Sequence, residues 1–66
     1  MKLTVNGKLI EVDDHITIPA LLELFDLHPE SIAVEVNFEI IPRFSFPAKT
    51  LQDGDQVEIV HFVGGG

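Results

Sequence analysis

The stretch Met1-Lys2-Leu3-Thr4-Val5-Asn6-Gly7-Lys8-Leu9-Ile10-Glu11-Val12 decides the fold. Asn6-Gly7 is the preferred pair for a type I′ turn, because both central residues of that turn must take φ > 0. A two-residue loop at this point sets the register of a hairpin. Val5 faces Lys8, Thr4 faces Leu9, Leu3 faces Ile10, Lys2 faces Glu11 and Met1 faces Val12. Met1, Leu3, Val5, Ile10 and Val12 then share the core face, while Lys2 and Glu11 make an opposite-charge pair on the other. A slip of one residue would turn the whole apolar set to solvent.

The rest of the chain supplies what that hairpin packs against. After the connection Asp13-Asp14-His15, Thr17 is an N-cap and Pro19 fits a first helical turn. Ile18, Leu21, Leu22 and Phe25 follow as the apolar stripe of a short helix, and Pro29 blocks any continuation. Ile32, Val34 and Val36 alternate with Ala33 and Glu35 as a third strand. Glu39-Ile40-Ile41 is a short return strand after a tight turn at Asn37-Phe38, ended by Pro42. Arg43 to Thr50 reads as an irregular crossover whose Phe44 and Phe46 cap one end of the core. Asp53-Gly54-Asp55 is a turn, and Gln56 to Phe62 is the last strand, with Val57 and Ile59 on one face and Glu58, Val60 and Phe62 on the other.

One helix is too few to cover both faces of a sheet, so it must lie across one. A right-handed crossover from the second strand to the third, with the last strand returning beside the first, gives an α+β fold of β-grasp (ubiquitin-like) topology. The expectation is a mixed sheet of four to five strands with one helix on one face. The folded domain covers residues 1–63, and residues 64–66 form a flexible glycine tail.

Composition narrows the function. Sixty-six residues make one small domain, with a stability of about 3–5 kcal/mol from a single core. Four Lys+Arg against 11 Asp+Glu argue against nucleic acid, which selects clustered cations. The dispersed acids serve solubility or steer the protein toward a basic surface. No apolar run approaches a membrane span, and no secretory leader is visible, so a soluble cytoplasmic protein is expected. With no cysteine, and with His15, His28 and His61 far apart in the chain, neither a metal site nor a nucleophile–base pair is expected.

What remains is the end of the chain. Three glycines after an apolar strand are a poor choice for stability, since glycine loses the most entropy on ordering. They suit a backbone that threads into a narrow slot. The α-carboxylate of Gly66 is a reactive group that needs no side chain. Activating it as an acyl-adenylate requires close approach to the main chain, and Gly64 and Gly65 give the clearance. Val60 and Phe62, pointing away from the helix, and Leu9, on the same side by the hairpin register, form a docking surface leading into the tail.

These residues resemble a known family. Val5-Asn6-Gly7, Val34-Glu35-Val36-Asn37, Ile41-Pro42-Arg43, the run Asp53-Gly54-Asp55-Gln56-Val57-Glu58-Ile59-Val60 and the ending Val63-Gly64-Gly65-Gly66 occur in this order in the ThiS family, the sulfur carriers of thiamine (thiazole) biosynthesis. One departure is Phe38, where the family usually has glycine. The resemblance implies a protein that is a co-substrate and not an enzyme, and that binds no cofactor of its own. A ThiF-like adenylyltransferase uses ATP to adenylate Gly66. Sulfur from a persulfide donor displaces AMP to leave a thiocarboxylate, and a ThiG-like thiazole synthase takes that sulfur. The same fold and tail occur in the small subunit of molybdopterin synthase, a sulfur carrier for molybdenum cofactor, and in ubiquitin-like modifiers. A non-catalytic binding module with an inert tail is a further alternative.

Overall fold

The computed structural model describes residues 1–62. The tail Gly64–Gly66 and the domain boundary at Val63 lie outside the described residues. Strands β1 (Lys2–Val5) and β2 (Lys8–Glu11) form the expected hairpin in the expected register, from Lys2 opposite Glu11 to Val5 opposite Lys8. Asn6 and Gly7 both take positive φ, 49° and 83°, as a type I′ turn demands. Helix α1 (Ile18–Leu24) follows, then β3 (Ile32–Val36), β4 (Glu39–Ile41) and β5 (Gln56–His61).

The sheet order is β2-β1-β5-β3-β4, with β1 and β5 parallel and the other neighbours antiparallel. This is the β-grasp arrangement. The last strand lies at the centre of the sheet, which protects its ladder from both edges. Alternation sends Leu3, Val5, Ile32, Val34, Val36, Val57 and Ile59 to one face, where Ile18, Leu21 and Leu22 of α1 meet them; all are buried. Met1, Ile10 and Val12 are only partly buried, because β2 is an edge strand at the rim of that face.

Thr17 caps α1 as expected, its Oγ1 accepting from the Ala20 N–H at 3.3 Å. The expected stripe holds for Ile18, Leu21 and Leu22 but not for Phe25, which is 42% exposed. The chain leaves the helix in a Schellman turn. The Leu27 N–H donates to the Leu22 carbonyl at 3.0 Å, and the Asp26 N–H to that of Glu23 at 3.0 Å, with Asp26 at φ 57°. This reversal swings Phe25 to the rim and brings Leu27 onto the core in its place.

The crossover is more regular than expected. Arg43–Ala48 is a 3-10 helix with Pro47 inside it. Its two aromatics part company: Phe46 is buried, and Phe44 is 87% exposed, so only Phe46 caps the core. The chain then runs beside the start of α1, with the Leu51 N–H donating to the Ile16 carbonyl at 2.8 Å and the Ile18 N–H to that of Lys49 at 3.3 Å. That pairing carries Leu51 to 0% exposure, a core residue with no periodic pattern around it to announce it.

Candidate functional site

Strand β5 is held from both sides by the asparagines that open the two hairpin turns. On the β3 side, pairing continues to Ile32 opposite His61, and the Phe62 N–H donates to the Ser31 carbonyl at 2.9 Å. The Asn37 side chain clasps the beginning of the strand, its Oδ1 accepting from the Gln56 N–H at 2.9 Å. On the β1 side, the Asn6 side chain meets Ile59 through two hydrogen bonds, of 2.7 and 3.2 Å. A strand fixed in this way delivers Phe62 at a defined position, two residues before the first glycine of the run in the sequence.

The outer face of the sheet, away from α1, carries the side chains expected there. Val60 is 53% exposed, Phe62 58% and Leu9 68%. Val60 and Phe62 stand on one face of β5, with Ala33 beside Val60 on β3. Leu9 is not part of that cluster. Its partner Thr4 pairs in turn with Gln56, four positions before Val60. Leu9 therefore stands roughly 10 Å across the sheet and roughly 13 Å along it from Val60. Two further exposed apolar side chains escaped the sequence reading, Ile40 opposite Glu35 and Phe38 at the β3–β4 turn. Alternation through Ile41, which faces inward, was the signal for Ile40.

The apolar side chains sit in an acidic frame. Glu58 and Glu35 are directly opposed on β5 and β3, on the same outer face as Val60. Like charges across a strand pair are unfavourable within the free domain. They suit contact with a basic surface. On the opposite face, a groove of about 350 Å³ runs beside the end of β5, lined by Val5, Asn6, Lys8, Phe25, Leu27, Ile59 and His61. Its histidine and lysine are exposed, and no buried side-chain polar atom among the described residues is left without a partner. Among the described residues, no three His, Cys, Asp or Glu side chains are grouped to hold a metal ion, and no helix is long and apolar enough to cross a membrane.

Comparison with known proteins gives a consistent picture. The chain is 43% identical over 65 residues to the sulfur carrier protein ThiS of Bacillus subtilis, covering 97% of this chain and 98% of that one. It is 41% identical over its whole length to part of a thiazole synthase of Paramagnetospirillum magneticum, of which it spans 20%. The crystal structure of the thiamine biosynthesis protein ThiS from Geobacter metallireducens superposes with a TM-score of 0.84 at 43% identity, each chain covered completely. The ThiS family model matches residues 3–66, which takes in the described strands except the first residue of β1, the helix α1 and the glycine run of the sequence. With hairpin register, strand order and chain-length match all in agreement, the chain belongs to the ThiS family.

Proposed function

We propose that this protein carries sulfur for thiazole formation in thiamine biosynthesis, with the carboxylate of Gly66 as the attachment point. The observation that supports this most directly is the family match, which runs through the central strand β5 into Gly64-Gly65-Gly66. In this reading the domain is a co-substrate that other enzymes handle. A ThiF-like adenylyltransferase docks on Val60 and Phe62, with Leu9 as an outlying contact, and threads Gly64 and Gly65 through its active site. A carboxylate oxygen of Gly66 attacks the α-phosphorus of ATP and pyrophosphate leaves. The acyl-adenylate makes AMP the leaving group when the terminal sulfur of a persulfide donor attacks the carbonyl carbon. The acyl disulfide so formed is cleaved by a thiol, which attacks the donor-side sulfur, takes the donor as a disulfide and releases the sulfur on Gly66. The resulting thiocarboxylate hands its sulfur to thiazole synthase. ATP is consumed by the partner, and the chain holds no cofactor or metal of its own. In this reading the protein works in the cytoplasm, where ATP and persulfide donors are available. The similarity to a segment of two thiazole synthases supports that enzyme as the acceptor.

The test is intact-mass analysis after incubation with the adenylating enzyme, ATP, a persulfide donor and a thiol reductant. The expected product has one oxygen replaced by sulfur at Gly66. An unchanged mass, or isopeptide-linked products on lysines, would sink the proposal. Removing Gly66 abolishes the product and leaves the fold intact.

A further inference from the structure

The two strands that flank β5 cover it unequally. On one side β3 pairs with it from Val36 opposite Val57 to Ile32 opposite His61. On the other side β1 pairs only through Thr4 opposite Gln56 and Val5 opposite Val57. The Asn6 N–H still donates to the Val57 carbonyl at 2.9 Å, and then the chain turns away through Asn6 and Gly7. Strand β5 runs four residues beyond Val57. The next main-chain groups facing the vacated side belong to Ile59, whose side chain is buried at 9% exposure.

Asn6 fills that place with its side chain. Its Oδ1 accepts from the Ile59 N–H at 2.7 Å, and its Nδ2 donates to the Ile59 carbonyl at 3.2 Å. A primary amide offers one acceptor and one donor in the plane of a peptide group, so it reproduces what another strand residue would offer. The turn alone does not require this. Asp or Gly would also take the left-handed φ of 49° that Asn6 adopts, but neither can make both bonds.

We propose that Asn6 is a positioning residue, which supplies the missing rung of β1 and fixes the path of β5 from Ile59 to Phe62, and with it the point from which the glycine run leaves the domain. Its effect on sulfur loading rests on the carrier reading above; its effect on the strand does not.

Asn6→Gly tests this, because it keeps the left-handed turn and removes only the side chain. Asn6→Asp is the intermediate case, since a carboxylate accepts from the Ile59 N–H and cannot donate to its carbonyl. In Asn6→Gly, the Ile59 amide should exchange with deuterium about tenfold faster, the loss of one hydrogen bond of ordinary strength. The amide order parameters of Val60, His61 and Phe62 should fall, while those of Leu3, Val34 and Val36 stay as in the parent. With the adenylating enzyme, KM for the carrier should rise about fivefold or more with kcat within about twofold, and Asn6→Asp should fall between. Equal acceleration of all core amides would overturn the proposal by making Asn6 a general stabiliser. Unchanged order parameters at Val60–Phe62 would overturn it by showing that the clasp does not set the strand's path. If the parent protein is never loaded with sulfur, the carrier reading fails, and exchange and order parameters still decide the role of Asn6.

Discussion

Asn37 holds Asp55 across the start of the central strand: its Nδ2 donates to the Asp55 Oδ1 at 3.0 Å, while Asp55 Oδ2 accepts from the Gln52 N–H at 2.8 Å. The Asn37 Oδ1 takes the Gln56 N–H, and the Asn37 N–H donates to the Gln56 carbonyl at 2.7 Å. Two turns distant in sequence are thereby tied to each other and to the first residue of β5. Asn37→Ala removes both side-chain bonds and places a Cβ-bearing residue with no local hydrogen bond at φ 52°. The expected cost is about 2 kcal/mol, with the bonds and the left-handed backbone sharing it. Urea denaturation should show the midpoint fall by roughly two-fifths to two-thirds, given a total near 3–5 kcal/mol. A shift within error would mean that solvent replaces both bonds.

Phe38 presents the opposite case. It sits at φ 69° in the same turn and is 82% exposed, so it bears backbone strain and buries little in return. Phe38→Gly should stabilise the domain by about 0.5–1 kcal/mol, the relief of a left-handed non-glycine residue less the added chain entropy. Thermal unfolding checks this. A lower melting temperature would show that the ring packs on the turn more than its exposure indicates.

These two positions mark where the sequence was legible and where it was not. Asn6-Gly7 fixes a hairpin by local rules alone, and the alternation of Ile32, Val34 and Val36, or of Val57 and Ile59, states which face is buried. Those signals were enough for the strand order and for the exposed faces of Val60 and Phe62. Phe25 was misread because helical spacing says nothing about where a Schellman turn ends the helix. Phe44 and Phe46 stand two residues apart, about two-thirds of a 3-10 turn, so they point in different directions, and no period reaches across so short an element. The clasps of Asn6 and Asn37 were hidden for another reason. Each residue was fully accounted for by its turn, and the second use of its side chain depends on a strand about 20 or 50 residues away in the chain.

Leu51 is a sharper instance, since nothing near it repeats. It is fully buried in the core, and its N–H is tied to the Ile16 carbonyl just before α1. Leu51→Ala should cost about 2–5 kcal/mol, the transfer of the lost methyl groups plus the cavity left behind. That consumes most of the stability of so small a domain. The expected result is loss of the cooperative thermal transition near physiological temperature, seen by near-ultraviolet circular dichroism of the phenylalanines. Leu24→Ala, at a position 64% exposed on the same helix layer, should leave the transition within about 0.5 kcal/mol of the parent.

Phe62 tests the outer face directly. At 58% exposure, Phe62→Asp should leave stability within about 0.5 kcal/mol of the parent and weaken capture by the adenylating enzyme. An unfolded variant would show that Phe62 belongs to the core. A folded variant with unchanged affinity would move the docking surface elsewhere on the sheet.

The opposed pair Glu35 and Glu58 separates stability from docking. Two carboxylates across a strand pair repel each other, and a domain under selection for stability alone would replace one of them. Glu58→Lys turns the repulsion into an attractive cross-strand pair, expected to add about 0.2–1 kcal/mol, more at low salt than at high. If the acidic frame steers the domain to a basic partner surface, the same change slows association with the adenylating enzyme, and the deficit shrinks as salt rises. Stopped-flow association at two ionic strengths, beside urea denaturation of the same variant, measures both. A variant that is more stable and associates just as fast would show that the frame serves solubility and that Val60 and Phe62 act without it.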